Sequence, residues 1–274
     1  MKAKKILFIT QEIKPYVPDS PMSEAGRAVP QMIQENGREI RTFMPRWGII
    51  NERRNQLHEV IRLSGMNIVI DDTDNQLVIK VASIQPAKMQ VYFIDNDEYF
   101  HKRQMACDEN GAEYQDNVER AVFYARGVLE TVKKLRWCPD VIHCQGWMSS
   151  FVPIYIKSAY REEPPFVKAK VVFSGFQEMA SVAPECRIAE ILAYKEAGAE
   201  LLQGKNVDFS RPDALGQLAI AFSDGYIQAD PNTRPELLQF AKDCGIPTLE
   251  MPFTEKNAAQ TYGDFYDAIF EPSL

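Results

Sequence analysis

The chain has 274 residues, 45% of them hydrophobic and 25% charged, which is ordinary for a soluble globular α/β protein and long enough for one large or two small domains. Its formal net charge of −7 leaves no basic stripe to meet phosphates, so a nucleic-acid partner is not expected. No stretch approaches the ~18 apolar residues of a membrane span, and five widely spaced cysteines without a Cys-x-x-Cys pair indicate reduced thiols. The basic Met1 to Lys5 segment is followed by too short an apolar run for a signal peptide, so a cytoplasmic protein without a membrane partner is expected.

Lys5 to Thr10 is a continuous apolar run of the kind buried on both faces of a sheet. Ala25, Ala28, Val29, Met32 and Ile33 then fall at helical spacing up to a C-capping Gly37, and Pro30 inside that helix should kink or restart it. Ser20 and Pro21 suit its cap and first position. Glu39 to Met44 is a second strand. Residues 57 to 95 change texture: Ile68-Val69-Ile70 and Leu77-Val78-Ile79 flank a polar stretch from Asp71 to Gln76, a β-hairpin signature, and Met89 to Ile94 adds a strand. That places an antiparallel excursion at one edge of the sheet.

Asp116 to Leu135 is an amphipathic helix with Asp116 or Asn117 as its cap. Strands are predicted at Asp140 to Cys144, Lys170 to Ser174, Gly225 to Ala229 and Ile246 to Met251. Glu185 to Gln203 is helical but weakly periodic, and Thr233-Arg234-Pro235-Glu236 reads as a capping box. Alternating strands and helices imply a doubly wound, mostly parallel, Rossmann-like sheet. Residues 1–252 form its body, and residues 253–274 carry a last helix whose stripe of Ala258, Tyr262, Phe265, Tyr266 and Ile269 docks back on it.

Ligands of such sheets sit outside the carboxyl ends of the strands. The candidates there are Thr10-Gln11-Glu12, Pro45-Arg46-Trp47, His143 to Trp147, Ser174 to Glu178, and Gln228-Ala229-Asp230. His58 and His101 read as surface residues, whereas His143 beside Trp147 is the histidine placed to meet a ligand. Cys144 adjoins it, but neighbours on a strand face opposite ways, so the pair is not a nucleophile and base. No ligand spacing for a metal and no Gly-x-Gly-x-x-Gly after the first strand occur, so neither metal nor cofactor is expected.

Several segments in order resemble the bacterial glycogen synthases and plant starch synthases, retaining glucosyltransferases of the GT-B fold. "KKILFITQEIKPYV" resembles that family's first strand and Ser-Glu-x-x-Pro turn, with Glu12 and Pro15 kept. "AVPQMIQENGREIRTFMPRWGII" resembles the next helix, strand and Met-Pro-Arg-Tyr segment. "DENGAEYQDNVERAVFYARGVLE" resembles its Asp-Asn-x-Glu-Arg helix start, and "PDVIHCQGWMSSFVPIYIK" its His-x-His-Asp-Trp strand end. "DALGQLAIAFSDGYIQ" is a weaker echo, and together the likeness spans residues 5 to 230.

The departures bear on activity. Pro18, Asp19, Ser20, Pro21 and Met22 stand where the family has its Lys-x-Gly-Gly-Leu donor loop; the prolines lack N–H groups and the aspartate repels a diphosphate. His143-Cys144-Gln145-Gly146-Trp147 lacks the second histidine and the aspartate, and Ser174 to Gln177 replaces Thr-Ile-His-Asn. The chain also corresponds to roughly the first half of the family's enzymes, with the last helix standing for the one that returns to the first domain. The resemblance thus implies a non-catalytic homologue that binds an α-glucan, ADP-glucose or UDP-glucose, or a protein partner, with Glu12, Trp47, His143, Gln145, Trp147 and Gln177 as contacts. An active, shortened glucosyltransferase, and an interaction protein that dimerises through the face of the absent half, are the alternatives.

Overall fold

The computed structural model describes residues 2–177, 185–254 and 256–271. Strand β1 (Lys5–Thr10) is followed by α1 (Pro21–Glu35), β2 (Glu39–Pro45), a two-residue β3 (His58–Glu59), β4 (Met66–Ile70), β5 (Thr73–Ile84) and β6 (Met89–Asp95). Then come α2 (Asn117–Leu135), β7 (Val141–Gln145), α3 (Phe151–Lys157), β8 (Lys170–Gly175), α4 (Glu185–Leu192) and the single turn α5 (Ala199–Leu202). The chain continues through α6 (Ala214–Ala221), β9 (Gly225–Gln228), α7 (Pro235–Asp243), β10 (Thr248–Glu250) and α8 (Ala258–Phe270).

The strands lie in the order β10-β9-β8-β7-β1-β2-β6-β5-β3, with β4 on β5. From β10 to β6 every pairing is parallel; the strand pairings of β5 with β3, β4 and β6 are antiparallel, as the edge excursion predicted for residues 57 to 95. Because β1 is flanked by β2 on one side and β7 on the other, the chain leaves it in opposite directions, and the crevice opens at that switch.

Alternation along β1 sends Leu7 and Ile9 to one face and Ile6 and Phe8 to the other. The first face is covered by α2, α3, α6 and α7, and the second by α1 and α8. α8 buries Tyr262, Tyr266 and Ile269 there, and Arg38 fixes it with a two-pronged contact to Asp267 at 2.8 and 3.0 Å. Of the predicted stripe, Tyr262, Tyr266 and Ile269 are buried and Ala258 and Phe265 half-buried.

Four local expectations change. Pro30 neither ends nor restarts α1, which is continuous from Pro21 to Glu35 while Val29 and Ile33 beside it are fully buried. The hairpin turns on Asp71 and Asp72 alone, both at positive φ, so β5 begins at Thr73 rather than after Gln76. Asp116 is the N-cap of α2 but makes no side-chain cap hydrogen bond; its carboxylate instead takes both ends of the Arg103 guanidinium at 3.2 and 3.1 Å. The Thr233 hydroxyl donates to the Gly175 carbonyl at 3.1 Å rather than capping α7.

Candidate functional site

The site is built on the ten-residue turn from β1 to α1. At its start Gln11 joins three loops: its carbonyl accepts from Trp47 Nε1 at 2.6 Å, and its Oε1 accepts from the Met148 amide at 3.2 Å. Gln11 Nε2 also donates to Glu12 Oε1 at 3.4 Å. The turn is pressed onto the helix at Gly26, where a Cβ would lie 2.1 Å from the Glu12 carbonyl oxygen. Only glycine lets the two backbones approach this closely.

Ser20 is the N-cap, extended at φ −149° and ψ 161°. Its Oγ accepts the Ser23 amide at 2.9 Å, Ser23 Oγ accepts the Ser20 amide at 2.9 Å, and the Glu24 amide bonds the Ser20 carbonyl at 3.0 Å. Pro21 has no N–H to offer. The helix start that a phosphate would use is thus satisfied largely from within the chain. The Ser20 hydroxyl then donates to Glu12 Oε2, which puts a nearly buried carboxylate directly behind the cap.

Asp19 is exposed at the tip, and Lys14 Nζ donates to it at 2.8 Å while lying 3.9 Å from Glu24. The hydrogen bond to Asp19 holds the Lys14 ammonium above its ordinary pKa against slight desolvation. The one cation of the turn is therefore committed to two carboxylates.

Two concavities flank this turn at the carboxyl ends of the strands. One, of about 520 Å³, lies between Glu12, Pro18, Asp19 and Ser20 on one wall and Ile49 and residues 104–108 on the other, with the edge of Trp47 at its floor. The second, of about 450 Å³, is walled by Ser20, Pro21, Glu24, Asp230, Met251 and Phe253. Asp19 and Ser20 line both. With Glu12, Asp19, Glu24, Asp108 and Asp230 around it, the whole cleft is acidic.

Of the candidates read from the sequence, Glu12 and Pro18 to Pro21 form the centre of this cleft, and Gln177 is exposed at its rim beside Phe176 and Asp230. Trp47 is 1% exposed, its ring against Arg120 and Phe100, so it supplies floor rather than a stacking face. Burial lowers the Arg120 guanidinium to about 10. Gln145 is buried at the end of β7, and Trp147 is buried in the hydrophobic core beneath the loop. Glu178 lies outside the described residues.

His143 does not reach the cleft. It sits in the middle of β7, opposite Phe8, on the face covered by α8. Its ring nitrogens are hydrogen-bonded to Tyr266 Oη at 2.7 Å and Ser174 Oγ at 2.6 Å, and burial pushes its pKa down to about 3. Cys144 faces the other core, with burial raising its thiol, as strand alternation requires. The walls contributed by residues 104–108 and by Met251 and Phe253 were not visible as site residues, because only the folded chain brings them beside the turn.

Among the described residues Glu52, Asp95 and His101 are the group near enough to share an ion. Lys80 Nζ already stands 2.6 Å from Glu52 and 2.8 Å from Asp95, and Arg46 also contacts Glu52. That cluster is a neutralised charge network.

A mostly parallel sheet covered on both faces, with its cleft at the strand ends beside β1, is the architecture of one half of a GT-B glycosyltransferase. The chain belongs to the starch synthase catalytic domain family, which its residues 5–249 match. It is 36% identical over 171 residues to a glycogen synthase of Pelodictyon phaeoclathratiforme, covering 62% of this chain and 35% of the relative. With the glycogen synthase of Chlorobaculum tepidum it shares 37% over 169 residues, 61% of this chain and 35% of that one. The matching segment thus spans about a third of the length of these curated relatives. The catalytic domain of starch synthase IV from Arabidopsis thaliana, solved bound to ADP and acarbose, superposes with a TM-score of 0.71 at 16% identity, over 90% of this chain and 51% of that one. Among the described residues no helix is long and apolar enough to cross a membrane.

Proposed function

We propose that this glycogen/starch synthase-family chain holds an α-glucan in the cleft beside Ser20 and transfers no glucose. The observation that carries the reading is the Glu12–Ser20–Asp19 arrangement: one carboxylate, Asp19, and a self-satisfied helix cap stand at the residues that align with the family's donor loop, with the retained Glu12 directly behind them. Diphosphate oxygens need vacant N–H donors and positive charge, and this turn offers carboxylates instead. The Arabidopsis catalytic domain is bound to ADP and acarbose; the diphosphate of ADP is what this turn is least suited to hold. Uncharged sugar hydroxyls, by contrast, donate well to carboxylates, and Ile49 and Met105 give an apolar wall for a sugar's C–H face.

Calorimetry and an incorporation assay test this together. Maltoheptaose should release heat on titration into the purified chain, while ADP-glucose and UDP-glucose should give flat traces and no glucose should pass into glycogen. Measurable transfer would replace this reading with that of a shortened active glucosyltransferase. Silence toward maltoheptaose, with a stable dimer by light scattering, would favour the interaction protein.

A further inference from the structure

On the far side of the same turn lies a groove of about 220 Å³ that the cleft does not include. Three segments distant in sequence build it: Pro15 and Tyr16 with Arg27 of α1, the 54–56 turn, and residues 83–85 at the end of β5. In an acidic chain its lining carries two guanidiniums, Arg27 and Arg54, and no carboxylate.

The two arginines are left over after the nearby acids have been paired. Glu24, one helical turn before Arg27, lies 3.9 Å from Lys14, and Glu52, two residues before Arg54, is held by Lys80 at 2.6 Å and by Arg46. Among the described residues neither the Arg27 nor the Arg54 guanidinium has an ion-pair partner or a hydrogen-bond acceptor. The remaining polar groups are hydroxyls or neutral amides: Tyr16, Asn55, Gln56, Ser83 and Gln85. Burial raises Tyr16 to about 12, so its hydroxyl keeps its proton at neutral pH.

We infer that this groove binds the phosphoryl group of a small phosphate ester or of phosphate itself. Two guanidinium forks match tetrahedral oxygens in direction as well as charge, which a pair of lysines would not. The volume lies below the ~300–1,000 Å³ of drug-sized pockets, so the occupant is small.

The test is a titration of the isotope-labelled full chain, followed by amide NMR and by calorimetry at fixed ionic strength, with inorganic phosphate, glycerol 3-phosphate and glycerol. Phosphate or the ester should shift the amides of residues 16, 27, 54–56 and 83–85, and glycerol should shift none. Arg27→Gln and Arg54→Gln should each weaken binding at least tenfold. Arg27→Lys and Arg54→Lys, which keep the charge and remove the fork, should weaken it severalfold. Equal affinities for phosphate and ester assign the groove to the free ion, and a tighter ester assigns it to the ester. Absence of shifts at those amides in the unsubstituted chain, or unchanged affinity in both Gln variants, overturns the inference.

Discussion

The Ser20 hydroxyl performs two tasks at once: it caps α1 by accepting the Ser23 amide at 2.9 Å, and it donates to Glu12 Oε2 at 2.5 Å. Removing it therefore strands two partners. Ser20→Ala should destabilise the chain by about 2 kcal/mol, roughly half from the lost cap and half from the Glu12 Oε2 left without its donor. Urea unfolding gives the value directly, and a loss under about 0.5 kcal/mol would mean that water replaces both bonds.

Gly26→Ala reverses the usual rule for helices. In an open helix interior the change gains up to about 1 kcal/mol of propensity. Here the new methyl would stand 2.1 Å from the Glu12 carbonyl, and backbone cannot step aside as a side chain does. Overpacking of this kind costs about 1–3 kcal/mol, so the net change should be a loss, visible as a lower melting temperature.

Asp19→Asn should move the cleft toward anions. It deletes one carboxylate and releases Lys14 Nζ, now 2.8 Å from Asp19, to face the turn. ADP binding should rise roughly tenfold at low salt and lose much of that gain at 1 M salt, because the pair is exposed and screened. Calorimetry at the two salt concentrations checks both halves, and an unchanged affinity would show that the prolines alone decide the matter.

His143 makes stability depend on pH. Burial holds its folded pKa near 3, against an ordinary 6.5 for the unfolded chain. Between those values the unfolded chain binds the extra proton, so this residue's contribution is intact above pH 6.5 and falls as the solution is acidified toward pH 3. The slope approaches about 1.4 kcal/mol per pH unit. Urea midpoints from pH 7 to pH 4 should steepen accordingly, and His143→Gln should flatten the curve by one proton's worth.

Much of this architecture can be read in the order of the residues. Ile6 to Ile9, Val171 to Phe173 and the run from Met89 announce buried strands because a doubly covered sheet needs continuous apolar sequence. Ser20 and Pro21 announce a helix start because caps are local chemistry. His143 and Trp147 could not be placed the same way. A histidine four residues past a proline and four before a tryptophan looks like a loop edge, and only the docking of Tyr266, more than a hundred residues later, turns that position into interior. The cleft has the same character: Glu12 and Asp19 are local, whereas its walls at 104–108 and at Met251 and Phe253 come from distant segments whose own sequence carries no sign of a site.

The grip of Arg38 and Asp267 on α8 also sets an order of assembly. Phe8 and His143 belong to strands made early, and the Ala3 amide donates to the Asp267 carboxylate at 2.8 Å. On a ribosome only α1 is there to cover that layer of the sheet until Ile269 has emerged, so its burial is completed at the end of synthesis. Closure of β1 waits for the helix translated after every strand, and such distant pairing makes for a slow last step.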